Sequence, residues 1–430
     1  MLHSGARVDL RILGPATVQR ELGHGGEGIV YEVQRDDGTA LALKWYKPHC
    51  ATKVRYDDLG VLVEQGTPHE RFLWPLDLAT VPGQQGFGYV MPVLPSRFIE
   101  LGHLVSGKGP DGKDVDVSFA SVINLCRQLA DSFRRLHARG MCYRDISFGN
   151  VLFDPGSGDI AICDNDNVGI DNGQGRVLGT PFFTAPEVVR DLSFRTMPNT
   201  ETDRHSLAVL LFYALCIGHP LEGRKTEQGL RDQNWLAQHF GTDPTFVFDP
   251  DDDSNRPTSP LVQAYWDRYP TFVHDAFIRA FTDGLHDPSA RVTESEWITI
   301  ADRLADGMML SDAGDTVFWD RDDPDRICRH AGHKLVPPYV LHVVRRRIAV
   351  SPFAQVREDH LSSSGRRTVL ARARRHPTDP RRWGLHNVTS RQWHAIQSDG
   401  TVYAVEPSQT IEITPGLRVD LRPGLVVVPG

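Results

Sequence analysis

The residues best suited to chemistry in this 430-residue chain are scattered along it in a fixed order. Gly23-His-Gly25-Gly-Glu-Gly28-Ile-Val30 has the spacing GxGxxGxV. Glycines there let backbone N–H groups approach phosphate oxygens without Cβ clashes. Alone, the pattern reads more readily as a plain β-hairpin, and a dinucleotide fold would need a helix directly after it. An extended stretch, Ile29–Val33, follows instead. One hairpin further on, Leu41-Ala-Leu-Lys44 carries an ammonium that would reach nucleotide phosphates as a point charge, although a surface lysine on an edge strand is the plainer alternative. Cys142-Tyr-Arg144-Asp145-Ile-Ser-Phe-Gly-Asn150 sets an amide five residues after a carboxylate, ahead of the apolar Val151-Leu-Phe153. Asp145 would accept or orient the proton of an attacking hydroxyl, and Asn150 would ligate a metal. Asp164 would be the second oxygen ligand for Mg²⁺, an ion that takes few protein carboxylates and keeps phosphate and water. Each piece has an ordinary structural explanation that is common by chance; their joint order is not common, and it points to the handling of a metal-bound phosphate chain.

These groups must be brought together by the elements that carry them. Apolar stretches at Ile29–Val33, Leu41–Trp45 and Tyr89–Leu94, bounded by Gly, Asp and Pro, predict a β-rich region over 15–95 interrupted by a helix near Lys53–Val63. From Phe119, the residues Val122, Leu125, Leu129, Phe133 and Leu136 recur at helical spacing and predict an amphipathic helix ending at Gly140. Further helices are predicted at His205–Cys216, His274–Leu285 and Ser295–Leu304, and an insert at 223–260 with the acidic run Asp249–Asp253 is expected to be a solvated loop. Past Met309, short β-like stretches alternate with Pro-Gly turns and predict a separate β domain.

Hydrophobic residues at 40% and charged residues at 24% supply an ordinary globular core. The net charge of −8 gives no case for nucleic acid or a membrane as partner, although a basic stretch runs from Arg345 to Arg382. The longest apolar run, Leu207–Ile217, is too short to span a bilayer, and Met1–Leu10 lacks a signal-peptide core. Six cysteines form no CxxC pair, so reduced thiols and a cytoplasmic location are expected.

Taken together, the motifs over about residues 16–305 resemble the eukaryotic-type protein kinase family. The resemblance implies an α+β fold: a bilobal kinase with a lead and β-rich N-lobe over 1–95, a helical C-lobe over 96–310, and a small all-β domain over 311–430. It implies ATP and Mg as cofactors and a protein as substrate. Gly23, Gly25, Gly28 and Val30 would cover the nucleotide, Ala42 and Lys44 would stand for the V-A-I-K strand, Met91 for the gatekeeper, and Pro92 to Leu94 for the adenine hinge. Asp145 matches the catalytic aspartate and Arg144 the arginine before it, while Asn150 and Asp164 match the metal ligands. Asp203 would brace the catalytic loop, and Arg291 would pair with Glu187 of Thr184-Ala185-Pro186-Glu187. That segment and Gly179-Thr180-Pro181 imply serine/threonine acceptors, with Thr180 bonded to Asp145.

The sequence departs from the family in places. Tyr143 replaces the histidine of H-R-D, Ser147 replaces a lysine, and D-F-G has become Asp164-Asn165-Asp166. Asp166 is read either as a further ligand or as a solvated turn residue. The helix acid for Lys44 is expected to be Asp58, with Asp57 and Glu64 in reach and Asp164 alone as the fallback. No Ser, Thr or Tyr lies between Asp164 and Thr180, which favours control by a partner or by the C-terminal domain over loop phosphorylation. Phe72-Leu-Trp-Pro-Leu and Tyr143–Asn150 resemble a bacterial branch from stress- or tellurite-resistance-type clusters, which implies a phosphatase and a von Willebrand-type protein as partners. Trp383–Asp420 resembles the second half of a forkhead-associated sandwich without its usual Gly-Arg and Ser-x-x-His order. Arg372, Arg374, Arg375 and Arg381 would then bind phosphate or simply form a solvated face. Cys328, His330 and His333 have zinc-ligand chemistry but no second knuckle. A pseudokinase scaffold is the competing function, favoured by Ser147 and Asn165.

Overall fold

Six antiparallel strands between Arg7 and Pro92 close into a barrel: β1 (Arg7–Leu10), β2 (Gly14–His24), β3 (Gly28–Arg35), β4 (Ala40–Tyr46), β5 (Asp77–Thr80) and β6 (Gly88–Pro92). The order is β1-β2-β3-β4-β6-β5, and the pairing of β1 with β5 (Asp9↔Thr80, Leu10↔Ala79) closes it. This is a computed structural model; it describes residues 1–170, 179–191, 196–344, 346–362, 366–421 and 424–429. Alternation along β4 assigns its two faces. Leu41, Leu43 and Trp45 fill the barrel with Val8, Val18, Val33 and Val90. Ala42, Lys44 and Tyr46 point the other way, and Ala42 and Tyr46 join the larger core that continues into the helical part. Helix α1 (Lys53–Gln65) begins at Thr52, whose hydroxyl accepts from Arg55 N–H.

Strand β7 (Ile99–Glu100), α2 (Gly102–Ser106) and α3 (Phe119–His137) lead to β8 (Met141–Cys142) and the hairpin β9 (Val151–Phe153)–β10 (Ile160–Ile162). Helix α3 buries Val122, Leu125, Leu129, Phe133 and Leu136, the stripe read from its spacing. After β11 (Gly169–Ile170) come α4 (Pro186–Val189) and α5 (Thr200–Cys216), the latter capped by Asn199 and almost wholly buried. Then follow α6 (Gln233–Leu236), α7 (Pro260–Trp266), α8 (Thr271–Phe281), α9 (Asp283–His286) and α10 (Glu294–Gly307). The predicted helix His274–Leu285 is thus two helices, broken at Thr282.

The insert is not the loop that its acidic composition predicts. Phe246, Val247 and Phe248 are buried, and the Phe246 ring packs 5.7 Å from Phe212 and 5.4 Å from Phe281. Buried Asn255 donates to Leu221 O and Thr245 O and fastens this part of the insert to the core; Asp251 and Asp253 are exposed, as are residues 227–234 earlier in the insert.

Beyond Met308 the described chain is strand and turn, apart from one helical turn at Glu358–Leu361. A six-stranded sheet, which includes Val340–Val343 and Arg418–Asp420, and a four-stranded sheet, which includes Val369–Arg375 and Trp383–Asn387, share a core of Leu341, Val356, Ala371, Trp383 and Trp393. This unit meets the helical part through ions. Asp302 of α10 accepts from Arg367 (2.7 Å) and Arg346 (3.1 Å), with Arg127 of α3 at 3.3 Å and Arg357 at 3.7 Å. Part of the basic stretch therefore neutralises carboxylates within the chain; Arg345 lies outside the described residues. Arg372, Arg374, Arg375 and Arg381 are exposed. Among the described residues no group of three metal-ligating side chains assembles; Cys328 is buried in an apolar cluster, and His330 faces Asp315.

Candidate active site

The site lies where the barrel meets the β9–β10 hairpin. The turn between β2 and β3 carries Gly25, whose N–H donates to Gly28 O at 2.9 Å. A Cβ on Gly28 would sit 2.6 Å from Trp45 O, so only glycine permits this approach of β3 to β4; Gly23 and Gly25 have open space above them. Strand register sets Val30 opposite Lys44 and Ala42 opposite Met91. Val30, Ala42, Met91 and Leu94 belong to one apolar cluster, with Pro92 closing β6 beside them.

Asp145 is held from two sides. Asn150 Nδ2 donates to its Oδ2 at 3.0 Å, and Thr180 Oγ1 donates to its Oδ1 at 2.6 Å. The β9–β10 register then brings Asn150 beside Asp164, because Cys163 N–H donates to Asn150 O at 3.0 Å. Asp164 has a left-handed backbone (φ 51°), and its side chain is 44% exposed toward the cleft. Tyr143 replaces the expected histidine by packing edge-on to Phe133 at 5.7 Å and donating its hydroxyl to Cys163 O. Of the loop between Asp164 and Thr180, residues 171–178 lie outside the described residues.

Lys44 departs from expectation. Its Nζ lies 3.2 Å from Asp164 Oδ1, 3.1 Å from both oxygens of Asp166, and 3.6 Å from Glu27. Burial opposes the charge on Lys44, but Asp166 and Asp164 outweigh it and hold the ammonium above its usual range. Asp58, expected as its partner, is exposed, as are Asp57 and Glu64. The side of α1 near the site instead presents Arg55, which donates to Glu27 at 2.7 Å. Asp166 is fully enclosed and also accepts from Tyr46 Oη and, at 3.4 Å, from Tyr89 Oη. Burial alone would raise its carboxyl; Lys44 and the Tyr46 hydroxyl hold it below the usual range. Sequence reading missed Tyr46, Tyr89, Glu27 and Arg55. Alternation in β4 puts Tyr46 on the face of Lys44 and was the available signal for the first.

Behind Asp145, Asp203 accepts from Tyr143 N–H at 2.5 Å, Arg144 N–H at 2.9 Å and His137 Nε2 at 3.0 Å. His137 Nδ1 reaches Glu294 Oε1 at 2.9 Å, so the ring donates to two carboxylates and is charged. Burial would lower its pKa, but the bonds to Asp203 and Glu294 raise it from 6.5 to about 9. A folded value above the unfolded one gives stability that is complete below pH 6.5 and lost as pH rises through about 9. Unfolding free energy is therefore expected to fall by up to ~3 kcal/mol across that window, at about 1.4 kcal/mol per pKa unit. Urea unfolding at stepped pH checks this, and a His137→Gln variant is expected to lose the step. Bidentate pairing of Arg291 with Glu187 (2.8 and 2.7 Å) ties α4 to the start of α10.

Comparison with known proteins gives a family model described as "Protein kinase domain", matching residues 100–271. A dual serine/threonine and tyrosine protein kinase of Strongylocentrotus purpuratus is 24% identical over 258 residues, covering 56% of this chain and 25% of that protein. Serine/threonine-protein kinase PknK of Mycobacterium tuberculosis (strain ATCC 25618 / H37Rv) is 28% identical over 219 residues, 48% of this chain and 18% of that protein. Protein kinase YegI of Escherichia coli (strain K12) is 28% identical over 221 residues, 48% of this chain and 32% of that protein. The chain thus matches between 18% and 32% of the length of these three relatives. No helix among the described residues is long and apolar enough to cross a membrane. A glycine turn near a buried lysine, a carboxylate–amide pair beside a second carboxylate, and the matched segment point the same way: residues 100–271 are similar to a protein kinase domain.

Proposed function

We propose that the chain transfers the γ-phosphoryl of ATP to a serine or threonine hydroxyl of a protein. The observation that carries this is the contact chain Thr180–Asp145–Asn150–Cys163, which ends at Asp164 on Lys44. Asp145, oriented by Thr180 and Asn150, accepts or aligns the acceptor proton. Nucleotide and Mg²⁺ fit the residues present. Gly28 leaves room for backbone approach, Asp164 is open to the cleft, and Asn150 engages Asp145 through Nδ2, which frees its Oδ1 for a metal. Bound Mg²⁺ would neutralise charge on the phosphates. Val30, Ala42, Met91, Pro92 and Leu94 offer an apolar wall to adenine, and Lys44 steadies the phosphates.

The division into 1–95, 96–310 and 311–430 is part of the same reading, with the last unit a forkhead-associated-like sandwich. Its support is a pair of sheets of six and four strands around one core, with buried Asn387 fastening the loop after its strand to Arg391 O and Val405 O.

The test is incubation of pure protein with Mg-ATP labelled at the γ-phosphate and a general acceptor protein, beside Asp145→Asn. Label on serine or threonine in the wild type alone is expected. Equal label in both samples sinks the proposal and leaves the scaffold reading.

A further inference from the structure

Lys44 and the nearby turn that bears Asp164 are joined by a residue with no assigned role. Asp166 lies two positions after Asp164, in the single helical turn Asn165–Asn167. Its carboxylate has no exposed surface and meets three donors: Lys44 on both oxygens, the Tyr46 hydroxyl, and the Tyr89 hydroxyl. Those donors share one patch of the barrel. Lys44 and Tyr46 are two apart on β4 and so face the same way, and register sets Tyr89 of β6 directly opposite Lys44. The turn is pinned from below by buried Asn165, whose Nδ2 donates to Ile162 O at 2.9 Å. Asp166 therefore has its position fixed at both ends, by the barrel and by the hairpin that presents Asp164.

Helix α1 is turned to other work. Its acids Asp57, Asp58 and Glu64 point to solvent, and Arg55 binds Glu27 of the glycine turn. The helix contributes a cation and the glycine turn a carboxylate, the reverse of what a helix acid serving Lys44 would require.

We propose that Asp166 is the positioning residue for Lys44, and that alignment of the lysine is set by contact between the barrel and the metal-ligand turn, independently of any acid on α1. The proposal rests on the phosphoryl-transfer reading for its meaning, but its test does not depend on turnover. Neutralising Asp166 removes the group that orients Lys44, so Asp166→Asn weakens Mg-ATP binding. Losses at such supporting groups run roughly 10–100-fold.

The decisive experiment is a double-mutant cycle read by calorimetric titration of Mg-ATP into wild type, Asp166→Asn, Lys44→Met and the double variant, with circular dichroism melts to show that each is folded. If Asp166 acts through Lys44, the double variant loses no more than Lys44→Met alone. Additive losses, or an Asp166→Asn deficit that added Mg²⁺ restores, overturn the proposal and make Asp166 a ligand in its own right. Asp58→Ala is expected to change affinity less than about twofold on the same additivity argument, and a tenfold loss there also overturns it. Should Asp166→Asn fail to fold, Tyr46→Phe and Tyr89→Phe, which loosen the same carboxylate, replace it in the cycle with the same criterion. Absence of γ-phosphate transfer by the wild type would defeat the kinase reading while leaving the binding cycle to decide the role of Asp166.

Discussion

Asp203→Ala is expected to destabilise the fold by about 3–5 kcal/mol, the usual cost of removing one partner from a buried charged cluster, and to end phosphoryl transfer at the same time. Asp203 is 1% exposed and accepts from two consecutive backbone N–H groups, those of Tyr143 and Arg144, as well as from His137. Arg144 has a positive φ of 74°, a conformation that a non-glycine residue keeps only where its surroundings hold it. Without the carboxylate, two buried N–H groups lose their acceptor and the charged His137 is left with Glu294 alone. The loop that presents Asp145 then relaxes. Chemical denaturation combined with the labelled-ATP assay checks both halves. The contrast with Asp145→Asn is diagnostic: that variant is expected to lose transfer at nearly unchanged stability, because among the described residues the Asp145 carboxylate bonds to Asn150 and Thr180, on the open side.

A loss of similar size is expected at Asp302→Ala, with a different signature. Four guanidinium groups, those of Arg127, Arg346, Arg357 and Arg367, lie within 3.7 Å of this one carboxylate, which is 4% exposed. Its removal leaves cations facing one another, and about 3–5 kcal/mol is the scale for an uncompensated buried charge. The cluster joins α3 and α10 to the C-terminal sheets, so the cost falls on their attachment. Denaturant unfolding is expected to split into two transitions, and limited proteolysis to cut first in the stretch after Met308. Neighbouring Asp306 behaves differently. Burial pushes its carboxyl up to about 6 despite Arg346 and Arg357, so its charge is already costly and Asp306→Asn is expected to be milder.

The four groups that define the candidate site were legible because their chemistry depends on order and short spacing: a carboxylate and an amide five apart on one loop, a lysine in an alternating strand, an aspartate at a strand end. Helix α3 and buried α5 were legible because apolar periodicity and length are local properties. The role of Asp166 was not, since its partner Lys44 is 122 residues away and nothing near Asp166 marks it as enclosed. Asp58 misled because an acid on α1 is the common solution, and only the rotation of the helix shows that Arg55 faces the site instead. Phe246-Val-Phe248 was hidden for a related reason: three apolar residues among Asp and Pro are too few to carry a period. The pairing of Arg346, Arg357 and Arg367 within the basic stretch was not legible because their partner Asp302 sits on a helix in another part of the chain.

The junction of β1 with β5 has a consequence for what can approach the N-terminal lobe. An open sheet ends in two strands whose backbone N–H and C=O groups are unpaired and invite a foreign strand to extend the ladder. Here the first and last strands satisfy each other. A visiting peptide thus finds this seam already paired, and a protein that approaches the barrel there must read its side chains.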